Sequence, residues 1–265
     1  MLCSRTTLTL ALSVCWVAFA GLSPGVEAQE EPASPGLPSA EQIIDRYIEE
    51  IGSEMGLSSI ETLTLEADFE GLDRGSGNMS LNASGNYWHY DFQTTDGQIT
   101  YHMCQDGTAW ENQYGSIARL SGNDRVKFEE IIPVIFAPLR WLDYPGQMET
   151  TGVEEVRSKK CYVIEFRPEG GKPVRRYFDM ESGLLVRMSY DSNSTNADWY
   201  LSDYQEVEGF TIPMRREQYF SGSHAYTVKT TSVVINEPVD EELLEPPLKV
   251  ETAETEDDPF GGGTP

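Results

Sequence analysis

The chain has 265 residues, 39% of them apolar, with 44 acidic against 19 basic side chains, a net charge of −25 and four cysteines. That is enough apolar material for one sizeable core, and the composition excludes a collagen, a coiled coil and a disulfide-stapled miniprotein. Binding to a phosphate backbone needs clustered Lys or Arg to displace counterions, and no such run exists, so nucleic acid is not an expected partner.

Arg5 precedes an uncharged stretch from Leu8 to Ala20, then a Pro24-Gly25 break and the small-x-small triplet Val26-Glu27-Ala28. This predicts a signal peptide over residues 1–28, cleaved before Gln29, and hence export to the periplasm; a cut after Ala20 is the alternative. The apolar stretch is shorter than the ~20 residues a bilayer span requires, and nothing later approaches that length, so no transmembrane span is expected in the mature chain. Residues 29–38, rich in Glu, Pro, Ser and Gly, read as a flexible leader.

At Ser39 the pattern changes to a helix start, with Ser39 as N-cap and Gln42 completing a capping box. Ile43, Ile44, Tyr47, Ile48 and Ile51 recur at helical spacing and form one apolar stripe, and Gly52 sits where a C-terminal cap belongs. A short helical turn over Ser53 to Leu57 follows.

From Leu63 the period drops to two: Leu63, Leu65, Ala67 and Phe69 alternate with Thr64, Glu66, Asp68 and Glu70. Further strands are expected near 77–83, 86–94, 98–105, 108–113, 148–156, 160–167, 173–179, 184–190, 197–206, 210–219 and 225–236. The separators, among them Asp96-Gly97, Ser182-Gly183, Glu208-Gly209 and Ser221-Gly222, suit tight antiparallel turns. This is a meander and not a βαβ alternation. Asn123 to Leu142, very apolar and broken by Pro133 and Pro138, predicts two short helical pieces. The fold class expected is therefore mainly β: a curved, incompletely closed antiparallel β-barrel of about eleven strands with helices packed on the concave face. Residues 39–248 make this domain, and 249–265, acidic and closed by Gly261 to Pro265, read as a disordered tail.

If the hairpin turns at Asp96-Gly97, Trp88, Tyr90 and Phe92 lie opposite Gln105, Met103 and Tyr101 on the apolar face, with Ile99. The same pairing places His89 opposite Cys104 and Asp91 opposite His102 on the outer, solvated face, where polar residues need no special cause, so no metal site is expected. A meander places two or more strands between Cys104 and Cys161, beyond the ~7 Å Cα reach of a disulfide, which predicts two unpaired thiols. The sequence carries no Gly-x-Ser-x-Gly elbow, zinc helix, dinucleotide loop or phosphate loop, and Ser221-Gly-Ser-His224 is explained by turn chemistry, so neither an enzyme nor a cofactor is expected.

Ala40-Glu-Gln-Ile-Ile-Asp-Arg-Tyr-Ile-Glu-Glu-Ile-Gly52, Tyr177-Phe-Asp-Met-Glu-Ser-Gly-Leu-Leu-Val-Arg-Met188 and Tyr200-Leu-Ser-Asp-Tyr-Gln-Glu-Val-Glu-Gly-Phe-Thr-Ile-Pro-Met-Arg215 resemble the LolA/LolB-like outer membrane lipoprotein-sorting superfamily. Pro238 to Pro247 resembles the way such domains end. The resemblance implies an apolar cavity between sheet and helices that holds acyl chains of a lipid or lipoprotein, with an envelope protein as a further partner. Candidate lining residues are Leu65, Phe69, Trp88, Tyr90, Phe92, Tyr101, Met103, Ile135, Phe136, Leu139 and Trp141, for which ordinary core is the simpler reading. The alternative function is an envelope interaction or structural module with a self-filled core.

Overall fold

The computed structural model describes residues 36–71, 75–84, 87–94, 97–103, 108–120, 138–141, 146–168, 172–192 and 195–245. The expected signal peptide, most of the leader, most of the 123–142 segment, Cys104 and the acidic tail lie outside them.

Helix α1 (Ala40–Ile51) starts as its sequence dictates. The Ser39 hydroxyl accepts from the Gln42 amide at 3.2 Å, and the Ser39 amide donates back to Gln42 Oε1 at 2.9 Å. All five stripe residues, Ile43, Ile44, Tyr47, Ile48 and Ile51, are buried. Helix α2 (Glu54–Ser58) follows, capped by Ser53.

The strands are β1 (Thr62–Gly71), β2 (Ser76–Ser84), β3 (Tyr87–Thr94), β4 (Gly97–Met103), β5 (Ala109–Gln113), β6 (Ser116–Leu120), β7 (Gly146–Val156), β8 (Lys159–Pro168), β9 (Val174–Asp179), β10 (Leu185–Ser192), β11 (Thr195–Val207), β12 (Phe210–Phe220) and β13 (Ser223–Ile235). Helix α3 (Pro138–Trp141) lies between β6 and β7, and α4 (Glu241–Leu244) follows β13. Pro138 begins α3 instead of ending a helix, the first-turn position where its missing N–H costs nothing.

The thirteen strands among the described residues form one antiparallel sheet in the order β6-β5-β4-β3-β2-β1-β13-β12-β11-β10-β9-β8-β7. This is two meanders joined where the first strand meets the last, β1 against β13, instead of one continuous meander. The edges, β6 and β7, are consecutive in the chain and do not pair, so the barrel stays open. The expected number, about eleven, falls short. In particular β6 is missing from the prediction because its side chains are mostly exposed and show no buried alternation.

The β3–β4 hairpin also differs. Thr94 pairs with Gly97, and Trp88, Tyr90 and Phe92 stand opposite Met103, Tyr101 and Ile99. The hairpin is thus centred one residue earlier than expected, which shifts every partner by two residues but leaves every side chain on its expected face, since strand faces repeat every two residues. His89 consequently faces His102, and Asp91 faces Thr100.

Candidate functional site

The concave face carries the main core, and α1 packs against it over β12, with α3 beside it. Tyr47 of α1 stacks on Trp141 of α3 with ring centroids 5.9 Å apart and planes 7° apart, and both meet Phe178 of β9 edge-on, at 5.4 and 6.3 Å. Burial holds the phenols of Tyr47 and Tyr204 above their ordinary range, and Tyr204 donates to the Leu185 carbonyl at 2.6 Å. On the other half of the sheet Phe69 stacks on Phe92 at 4.1 Å, Tyr226 meets both Phe92 and Trp199, and the Tyr90 hydroxyl reaches Met79 Sδ at 3.5 Å.

Leu65, Phe69, Trp88, Tyr90, Phe92 and Trp141 are buried in this one core. Tyr101 and Leu139 are half-buried against it, the Tyr101 hydroxyl donating to Glu111 Oε1 at 2.9 Å. Met103 pairs with Trp88 along the backbone. Its side chain, Ile135 and Phe136 lie outside the described residues.

Two inward arginines escape a reading based on apolar alternation. The strand β9 contains Arg175-Arg176 and β12 contains Arg215-Arg216, and successive strand residues point to opposite faces. The outward members pair on the convex side: Arg175 Nε with Glu165 Oε2 at 2.7 Å, and Arg215 Nη2 with Glu217 Oε1 at 2.8 Å. The inward members are buried. The Arg176 guanidinium, with 0% exposure, lies 4.3 Å from the Trp141 ring centroid and 5.8 Å from that of Phe166. Arg216 stands between Leu201 and Val228. It opposes the effect of burial, which raises the Tyr90 phenol. Two consecutive cations within a strand were the available signal, because alternation must send one of them inside.

The convex face has a second, smaller apolar cluster of Val156, Cys161, Val163, Tyr177 and Val186. Cys161 is a free thiol, fully buried, donating to the Lys159 carbonyl at 3.4 Å; burial first, then the Asp179 carboxylate, push its pKa up to about 11. Next to it a cavity of about 270 Å³ opens between the β7–β8 turn, the β9–β10 turn and β11, with Arg157, Leu184, Val186, Tyr200 and Asp203 in its wall. None of the candidate lining residues borders this cavity. Among the described residues no three His, Cys, Asp or Glu side chains are placed to share a metal ion.

Contrary to expectation, the outer face at His89 is not solvated: His89 is 8% exposed and its ring stacks on His102 at 4.5 Å, with α4 packed against β2 and β3. The ring planes are 17° apart, so their in-plane lone pairs run side by side instead of converging on one point.

No protein-family profile matches the sequence, and no curated protein matches it. Solved structures do. A DUF1329 family protein from Desulfovibrio piger superposes with a TM-score of 0.53 at 11% identity, over 77% of this chain and 96% of that one. A LolA superfamily protein from Nitrosomonas europaea superposes with a TM-score of 0.53 at 10% identity, over 79% of this chain and 99% of that one. The chain has a LolA-type fold. At such identities the likeness shows the fold alone. Among the described residues no helix is long and apolar enough to cross a membrane.

Proposed function

We propose that this protein is a non-enzymatic periplasmic carrier or binding protein for an acylated ligand, a lipid or a lipoprotein, held between the concave face of the sheet and its helices. The observation that carries this reading is the concave face itself, lined by Leu65, Phe69, Trp88, Tyr90 and Phe92 on one half and closed by Trp141 of α3 on the other. Burial of an acyl chain against such a wall yields about 0.8 kcal/mol per methylene, and aromatic and thioether side chains adapt to its shape. The same reading includes export by a signal peptide over residues 1–28, a binding domain over 39–248 and an acidic tail, 249–265, that acts as a solubilising segment. Met103, Ile135, Phe136, Leu139 and Tyr101 complete the proposed lining.

One observation favours a second reading, an envelope interaction module without cargo. The lining side chains contact one another, as in the Phe69–Phe92 stack and the Tyr47–Trp141 stack, which is how a self-filled core looks. Mass-spectrometric lipid analysis of organic extracts, from mature protein purified out of its native envelope without detergent, separates the two. The carrier reading expects a stoichiometric acyl species. An empty protein that also fails to take up a fluorescent fatty acyl probe establishes the second reading instead.

A further inference from the structure

The convex face of β3 and β4 carries a constellation that the carrier reading does not use. His89 and His102 stand directly opposite one another, 4.5 Å apart between ring centroids. Among the described residues no hydrogen bond of good geometry reaches either nitrogen of His89 or Nδ1 of His102, and all three atoms are buried; the Leu243 carbonyl that faces His89 favours a proton there, against the effect of burial. A buried imidazole without partners is tolerated as a neutral ring, but a charged one costs far more, and two charged rings in stacking contact repel as well. The environment answers accordingly. Burial lowers His89, and burial followed by the charge of His89 lowers His102 to about 4.

The element over this pair is α4. It packs against β2 and β3, and its Leu243 carbonyl faces the His89 ring. It is held weakly: four residues long, it buries none of its own side chains, and Leu243 is 36% exposed. A modest change beneath it therefore decides whether it stays. We propose that the His89–His102 pair is an acid-sensitive latch, which holds α4 on the convex face while both rings are neutral and releases it when they take up protons.

The charged groups around the pair work against this and are outweighed. Asp91, on β3, favours a proton on His89; its Oδ2 is already engaged by Gln98 Nε2. Glu66 on β1, raised by burial and then by Asp91, lies beyond Ser80. From α4 come Asp240, Glu241, Glu242 and Glu245, all exposed, with Asp240 Oδ1 accepting from the Glu242 amide at 3.0 Å. Strand β2 supplies the uncharged Asn82, β4 Thr100 and β5 Trp110; Arg119 of β6 is a further strand away, bonded to Thr108. Despite the carboxylates, both rings remain lowered.

The sign follows from linkage. The docked state resists the proton that the released state accepts near the ordinary histidine value, so docking is strongest above about pH 6.5 and is lost progressively towards pH 4. The full shift of His102 would weaken docking about thirty-fold between pH 7.5 and 5.0, and because the part due to His89, its strand partner, persists after release, that figure is an upper bound.

The test is hydrogen exchange of the intact chain at pH 7.5 and 5.0, corrected for intrinsic rates, together with an NMR titration of the imidazole Cε1 protons. Expected are imidazole titrations below 6.5, an order-of-magnitude loss of protection over residues 237–245 at pH 5.0 and unchanged protection in β8 to β12. The double variant H89F/H102F, whose rings cannot charge, is expected to keep α4 protected at pH 5.0. Rings that titrate at or above the ordinary histidine value overturn the latch, as does protection that is the same at both pH values. Equal loss in wild type and variant also overturns it, by assigning release to the carboxylates. Should the double variant fail to fold, H89F alone is read in its place, with protection of residues 237–245 greater than wild type at pH 5.0 expected and a loss equal to wild type overturning the latch.

Discussion

Asp179 shows how a single carboxylate organises a turn of this sheet. Burial alone would raise its pKa, but donors from Lys159 Nζ at 3.0 Å, Ser182 Oγ at 2.8 Å and the Glu181 amide at 3.2 Å outweigh that and hold it below its ordinary value. A carboxylate depressed in this way stabilises the fold above the unfolded pKa near 3.8 and loses that contribution as the pH falls through its folded value. Asp179→Asn keeps the size and one acceptor but forfeits the charge-assisted bonds. It is expected to cost about 1–3 kcal/mol in urea unfolding at pH 7, with the difference from wild type shrinking as the pH is taken below that of a free carboxyl. An equal deficit at pH 7 and pH 2.5 would mean that charge plays no part. At this scale the sequence was legible in an uneven way. The alternation that marks Leu65 and Phe69 as inward also marks Arg176 and Arg216 as inward, yet hydropathy alone discards charged residues from a core list. Their burial depends on neighbours that local patterning does not show, Trp141 of α3 for Arg176 and Leu201 and Val228 of the flanking strands for Arg216.

Helix α1 is the element the sequence described best, because its cap, stripe and stop are all local. What it docks against is not local. Arg46 donates from Nη1 to the Met180 carbonyl at 3.0 Å and from Nη2 to the Glu181 carbonyl at 2.7 Å, fastening the helix to the β9–β10 turn, 134 residues onward. Gly183 makes that contact possible in two ways. Its φ of +75° suits glycine, and a Cβ there would come within 2.9 Å of Arg46 Nε. Gly183→Ala is therefore expected to destabilise the protein by about 1–2 kcal/mol from backbone conformation alone, and further if the Arg46 clamp is displaced. Hydrogen exchange should show the loss as faster opening of α1, with β1 to β4 unchanged. Uniform acceleration across the sheet would show that α1 docking is not what the glycine protects. By contrast, β6 and the hairpin partners of β3 were misjudged for a common reason. Exposed strands carry no burial pattern, and a hairpin centred one residue earlier shifts partners by two and leaves the pattern on each face unaltered.

At the scale of the whole molecule, the open sheet leaves β7 as a long edge, eleven residues whose outer row of backbone groups pairs with no other strand among those described. Such an edge invites pairing with another chain unless something blunts it. Two devices are visible. The register slips between Thr150 and Gly152, a bulge that bends the strand, and Glu149, Glu154 and Glu155 place carboxylates along it, of which Glu149 is met by Arg167 at 2.8 Å. Exposed Val153 sits between the bulge and the two carboxylates, so β-forming side chains next to it would complete an adhesive strip. Placing Thr at 154 and Val at 155 removes two like charges per edge and leaves the core untouched. The double variant E154T/E155V is expected to self-associate at concentrations where wild type does not, seen as a concentration-dependent rise in sedimentation coefficient with an unchanged unfolding midpoint in dilute solution. Sedimentation identical to wild type across the same range would show that the bulge alone protects the edge, and that the acidic surface of this chain serves solubility at large instead of guarding the place where its barrel fails to close.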